Sequence, residues 1–158
     1  MIKARDLIDR FQQSVNEEWG YIYGMKHVTW SAARQKNYDV AKASDPNCQM
    51  SIKYGSKWYG HIVTDCSGLF AWWIEQLGDK IAHGSNSIFD RYCSAKGQIK
   101  NGKKHGGGDL QPGTAVFTGT EKVHGHIGLY IGDGYVIEAK GARYGVIKKK
   151  LSEGKWTY

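Results

Sequence analysis

The run HIGLYIGDGYVIEA, residues 126–139, constrains this chain more than any other stretch. Apolar side chains alternate with polar or small ones on both sides of Gly132-Asp133-Gly134. That is the pattern of two antiparallel strands joined by a tight turn. A three-residue loop sets Ile131 opposite Tyr135 and Gly128 opposite Glu138. His126, two residues from Gly128, then shares a face with Glu138 as its diagonal neighbour. Ile127, Leu129, Ile131, Tyr135, Ile137 and Ala139 all turn the other way, towards a core. A two-residue loop shifts the pairing by one, parts His126 from Glu138 and mixes apolar residues between faces, so hydrophobicity favours the first register. A Glu beside a His holds the imidazole in one orientation and favours its protonated form. The plainer alternative is a polar His on an exposed sheet face.

The rest of the chain supplies what such a hairpin packs against. Ala4, Leu7, Ile8, Phe11 and Val15 recur at helical spacing and predict a helix over 3–19. A second helix is predicted over 66–77, with Leu69, Phe70, Trp73, Ile74 and Leu77 on one face and Gly78 placed to end it. Trp72 and Trp73 read as core and nearby cleft wall. A short helix is expected within 86–95. Residues 20–60 show no clean period and read as irregular, with a turn at Asp45-Pro46-Asn47, and 101–109 (NGKKHGGGD) reads as a flexible loop. Ala115–Thr118 and Tyr144–Lys149 are further strands. Helices that precede short-turned strands predict an α+β fold with an antiparallel sheet. The 158 residues fit one domain, and no run approaches the roughly 18 apolar residues of a membrane-spanning helix.

The chemistry centres on Cys66. Thr64-Asp65-Cys66-Ser67-Gly68 puts a thiol in the first turn of the second helix, with Thr64 or Asp65 as N-cap. Unpaired N–H groups and the helix dipole there favour an anion, which is how a helix start makes a cysteine nucleophilic. Ser67 and Gly68 are small and keep access open. The alternative is a buried structural cysteine, but Cys66 lies off the apolar stripe that begins at Leu69. Cys66, His126 and Glu138 together supply nucleophile, base and orienter. Cys48, Cys66 and Cys93 make an odd count, so at least one thiol is expected free, and whether Cys48 and Cys93 pair stays open.

Three runs in order, DCSGLF (65–70), DLQPGTAVF (109–117) and the hairpin at 126–139, resemble the NlpC-type family of papain-like cysteine peptidases, which are bacterial and phage cell-wall hydrolases. The segment Gly20-Tyr21-Ile22-Tyr23-Gly24 is similar to the family's motif upstream of the cysteine, so the resemblance covers about 19–139. It implies a papain-like domain with the cysteine helix packed on the sheet, and hydrolysis of a peptidoglycan stem-peptide amide, often beside D-γ-glutamyl. By the same resemblance Cys66 is the nucleophile, His126 the base, and Tyr21 the tyrosine close to the cysteine. Glu138 falls where the family more often carries His, Asn or Gln, and Thr114 replaces the acid usual after Pro-Gly. His83-Gly84-Ser85-Asn86 and Glu138 look like prophage-borne members, which implies a phage lysin or tail-associated hydrolase.

Other residues fill secondary places. Asp65 is a helix cap or a receptor for a substrate amine; Ser67, His83 and Ser85 are expected near the cleft or in its loop, and Arg143 on the surface or on a stem-peptide carboxylate. His124 is a loop residue or subsite wall, though His124-Gly125-His126 with Cys66 and Glu138 also suggests a metal site. No cofactor is needed for thiol chemistry, and no metal is expected. The formal charge of +7 suggests anionic partners, wall polymers among them. Lys103-Lys104 and Lys148-Lys149-Lys150 leave a non-enzymatic basic wall- or nucleic-acid-binding module as a competing class, and an amidase with the same triad as a competing activity. The N-terminal residues lack the apolar stretch of a secretory signal. The expectation is a monomer made in the cytoplasm that acts at the wall by another route, or an excised catalytic domain, without membrane insertion or nucleic acid.

Overall fold

A computed structural model describes residues 1–93, 95–100, 103–104, 108–120 and 122–158. Its centre is an antiparallel meander of β6 (Ala115–Gly119), β7 (His124–Gly132), β8 (Tyr135–Gly141) and β9 (Gly145–Lys150), in that order. The hairpin keeps the register that the alternation predicts, with Leu129 opposite Ile137 and Tyr130 opposite Val136. Its turn is one residue shorter than expected. Gly132 pairs with Tyr135, and Asp133 and Gly134 make the turn at φ 52° and 80°. Both central residues at positive φ suit a type I′ hairpin. Ile131 is the extra residue, and a bulge there absorbs it without moving the rest of the ladder.

Helix α4 (Cys66–Gln76) lies on one face of this sheet, against β7 and β8. Leu69, Phe70 and Trp73 meet Phe117, Ile127, Leu129, Ile137 and Ala139 there, all buried. Each large apolar side chain removed from water stabilises the fold by roughly 1.5–3 kcal/mol. Helix α1 (Ala4–Asn16) packs beside α4 and also reaches the sheet, its Phe11 ring edge-on to Phe70 at 4.7 Å. It ends three residues before the predicted boundary. Glu18 adopts φ 53°, and the Trp19 and Glu18 N–H groups bond back to the Ser14 and Val15 carbonyls. That is a Schellman stop made without glycine. Helix α5 (Ser85–Tyr92) lies within the predicted 86–95 apart from one residue.

Residues 20–60 are more ordered than the sequence suggests. Strands β1 (Gly20–Tyr21), β2 (Val28–Thr29) and β3 (Ile62–Thr64) form a small sheet in the order β1-β3-β2. Helices α2 (Ala32–Lys42) and α3 (Gln49–Tyr54) pack beside it around Ile22, Trp30, Tyr38, Cys48, Trp58 and Val63. The predicted turn is a 3₁₀ turn at Pro46–Cys48, capped by Asp45. Part of the predicted 101–109 loop is a two-stranded ribbon, β4 (Ile99–Lys100) with β5 (Lys103–Lys104); positions 101, 102 and 105–107 lie outside the described residues.

The second face of the central sheet is also partly covered. The chain after β9 folds back over it, and Leu151 and Trp156 pack on Leu110, Val116 and Val136. No helix among the described residues is long and apolar enough to cross a membrane.

Candidate active site

The start of α4 is built around Asp65. Its backbone is extended, and its Oδ1 accepts from the Gly68 N–H at 2.7 Å and the Ser67 hydroxyl at 3.2 Å. Its Oδ2 accepts from the Gly24 N–H at 3.0 Å. The residue is thus the N-cap, and it also ties the β1–β2 loop to the helix start. Gly68 is required where that loop crosses, since a Cβ would lie 2.5 Å from the Met25 carbonyl oxygen. His83 reaches the same carboxylate, Nε2 to Oδ1 at 2.7 Å, and this bond pushes its pKa up. Ser67 is buried and spends its hydroxyl on Asp65, so the expected opening towards substrate at Ser67 is closed.

Cys66 is the first residue of α4 and is half-buried. All three cysteines are free, so Cys48 and Cys93 do not pair. Tyr21 comes alongside because β1 runs parallel to β3, with Tyr21 opposite Thr64. Burial, together with the neighbouring Cys66 and Asp65, pushes its pKa far up, so it remains a neutral hydroxyl donor.

From the sheet, His126 Nε2 lies 2.6 Å from Glu138 Oε2. The two residues sit on one face, diagonal across the hairpin. Cys66 is the other titratable neighbour that acts on the imidazole. Burial alone pushes the His126 pKa down. The hydrogen bond to Glu138 and the nearby Cys66 more than offset it, and the value is pushed up to about 9. The imidazole is therefore held as a cation beside the thiol over most of the neutral range.

Two neighbours of this pair escaped the sequence reading. The Trp156 ring stacks on His126 at 5.5 Å between centroids and 18° between planes. Gly128 makes the room for it, as a Cβ there would lie 2.8 Å from the Trp156 ring and 2.7 Å from Val136. The space beside the pair is thus filled by the returning chain. Lys149, read only as part of a basic run, places its Nζ 3.7 Å from Glu138 Oε1. The diagonal position of Lys149 across β8 and β9 was the available signal; for Trp156 there was none.

Three further candidates take different places. His124 does not line a cleft. Two residues of β7 oppose one of β6 between Thr118 and Gly119, and this bulge at Gly125 reverses the alternation. The His124 ring turns to the core face, 1% exposed, stacked on Phe89 at 3.7 Å and edge-on to Phe117 and Tyr158. His124 and His126 therefore face opposite sides of the sheet, and the metal site that needs both cannot form. Among the described residues no cluster of three or more His, Cys, Asp or Glu side chains is arranged for a metal ion. The Ser85 hydroxyl donates to the His124 carbonyl, and Asn86 Oδ1 accepts from the His124 N–H at 2.6 Å, so this pair fastens α5 to β7. Arg143 is exposed in the β8–β9 turn, its guanidinium over Tyr144 and its carbonyl accepting from Lys57.

Comparison with solved structures identifies relatives of the fold. The fold is similar to the NlpC/p60 domain of the peptidoglycan hydrolase SagA, with TM-score 0.60 and 15% identity over 98% of this chain and 95% of that one. It is similar to the P60 domain of antigen MAP1204 from M. avium subspecies paratuberculosis, at 0.57 and 18%, over 99% and 93%. NlpC2 from Trichomonas vaginalis matches at 0.57 and 18% over the whole of this chain, which spans 46% of that protein. No curated protein matches in sequence. The sequence profile of the NlpC/P60 family matches residues 51–158, which hold Cys66, His126 and Glu138, and the chain belongs to that family.

Proposed function

We propose that the protein is a peptidoglycan hydrolase, a cysteine endopeptidase that cuts stem-peptide amide bonds of the D-γ-glutamyl type. The observation that carries this is the His126 imidazole gripped by Glu138 at 2.6 Å on the sheet against which α4 packs, with the Cys66 thiol at that helix's start. Membership of the NlpC/P60 family, and peptidoglycan hydrolases among its structural neighbours, support the substrate.

In the reaction the Cys66 thiolate, whose proton His126 holds, attacks the amide carbonyl carbon, forming an S–C bond as the carbonyl π bond opens to the oxyanion. The oxyanion is stabilised by the Cys66 backbone N–H, unpaired at the helix start, and by the Tyr21 hydroxyl. As the C–N bond breaks, His126 gives its proton to the leaving nitrogen. Water then attacks the thioester carbonyl, His126 takes the water's proton, and the thiolate leaves. Glu138 orients the imidazole and balances its charge throughout. No step requires a cofactor.

The test is digestion of purified walls by the protein and by Cys66→Ala. The expected result is new stem-peptide fragments from the first and none from the second. Equal release by both sinks the reading. Mass spectrometry of the fragments identifies the bond, and cleavage at the glycan-proximal amide would make the enzyme an amidase with the same triad. The phage-lysin assignment rests on the similarity of residues 83–86 and Glu138 to prophage-borne members. In that reading the protein acts at the bacterial wall, with anionic wall polymers drawn to its net charge of +7.

A further inference from the structure

Lys149 is set apart from the lysines on either side of it. Lys148 and Lys150 are exposed, whereas the Lys149 side chain is only 14% exposed. Strand alternation turns it to the His126 face, two residues beyond Ile147, the partner of Glu138 across the strands. Its Nζ donates to the Glu153 carbonyl at 3.0 Å, so the turn after β9 fixes the ammonium in place. The same ammonium lies 3.7 Å from Glu138 Oε1, the oxygen that His126 does not use. A solvated strand-end lysine would project outward as its neighbours do. A desolvated one needs compensating partners, and these are the Glu153 carbonyl and the Glu138 carboxylate.

Glu138 therefore stands between two cations. Its side chain is 4% exposed, so water does little to screen either contact. We propose that Lys149 is a positioning residue for the His126–Glu138 pair: it shares the carboxylate with the imidazole and limits how tightly the imidazolium is held. The other groups facing His126 are the Cys66 thiol from α4, with the Tyr21 hydroxyl beside it, and the uncharged Trp156 ring; Asp65 is already paired with His83. Among the described residues Lys149 is thus the cation placed to oppose proton retention by His126. That opposition suits a base that must release its proton in every cycle.

The kinetic part rests on the proposed hydrolysis, and the spectroscopic part does not. NMR titration of the His126 imidazole in Lys149→Met is expected to show a midpoint higher by about half a unit to one unit, as the Glu138 carboxylate then serves the imidazolium alone. Lys149→Arg should stay close to wild type. In a Glu138→Gln background, Lys149→Met should shift the midpoint much less, because the effect passes through the carboxylate. An unchanged or lowered midpoint in Lys149→Met, with the fold intact, overturns the proposal, as does an equal shift in both backgrounds. If Lys149→Met fails to fold, Lys149→Gln and Lys149→Arg carry the same comparison. On walls, the alkaline limb of kcat/KM should move up with the midpoint while KM stays within about twofold. Failure of wild type to cleave walls would refute the hydrolase reading and leave the titration result standing.

Discussion

His126 changes charge near pH 9 in the folded protein and near 6.5 in an unfolded one. A raised value means that the folded state holds the proton more tightly. The stability this contributes is complete below about pH 6.5 and is lost as pH rises through about 9. Denaturant midpoints measured across that window should fall, and Glu138→Gln should flatten the decline by removing the imidazole's anionic partner. The same substitution should lower the His126 midpoint and reduce wall cleavage on the order of tenfold or more, since an amide does not balance the imidazolium. At this scale the sequence spoke clearly where chemistry and period coincided. Cys66 at a capped helix start, and His126 diagonal to Glu138, were both legible. Ser67 was not, because a small residue beside a nucleophile looks open until its hydroxyl is seen bonded to Asp65.

Strand β7 shows what an element can hide. The period of two in residues 126–131 is visible because its apolar set faces one core. The bulge at Gly125 is not, because an extra residue leaves composition unchanged and alters only the count. Helix α2 was missed for a different reason. Only Gln35 and Tyr38 on it are buried, so it has no apolar stripe to read, and its Ser31 cap was the remaining signal. The same strand carries a sharp steric condition at Gly128. Gly128→Ala drives a methyl into Val136 and the Trp156 ring and should destabilise the protein by roughly 1–3 kcal/mol. Thermal and chemical unfolding measure that cost. Wall cleavage should fall as well, because the displaced indole is the one stacked on His126. In α1, Glu18→Gly should stabilise by about 0.5–1 kcal/mol, as the left-handed stop then carries no Cβ.

For the molecule as a whole, the three apolar clusters divide the work. One joins α1, α4 and α5 to the sheet, one holds the Tyr21 loop and its helices, and one fastens the returning chain across the far face. The antiparallel α+β plan was legible from element order. The third cluster was not, because nothing in Leu151 or Trp156 says which surface they return to. The net charge of +7 belongs to this scale too. If it draws the protein to anionic walls, the fraction that sediments with walls should drop steeply between ~0.05 M and ~0.5 M salt, where screening shortens to a few ångströms. Retention unaffected by salt would assign binding to the stem peptide alone.

The bulge at Gly125 makes β7 a counter as well as a scaffold. Before it, an imidazole is delivered to the aromatic interior; after it, an imidazole is delivered to the thiol. One residue of chain length decides which destination each histidine reaches. A single insertion or deletion between His124 and His126 would therefore trade the two addresses or strand one of them in the wrong medium. Length changes here should survive only in compensating pairs, however freely the residues themselves are exchanged.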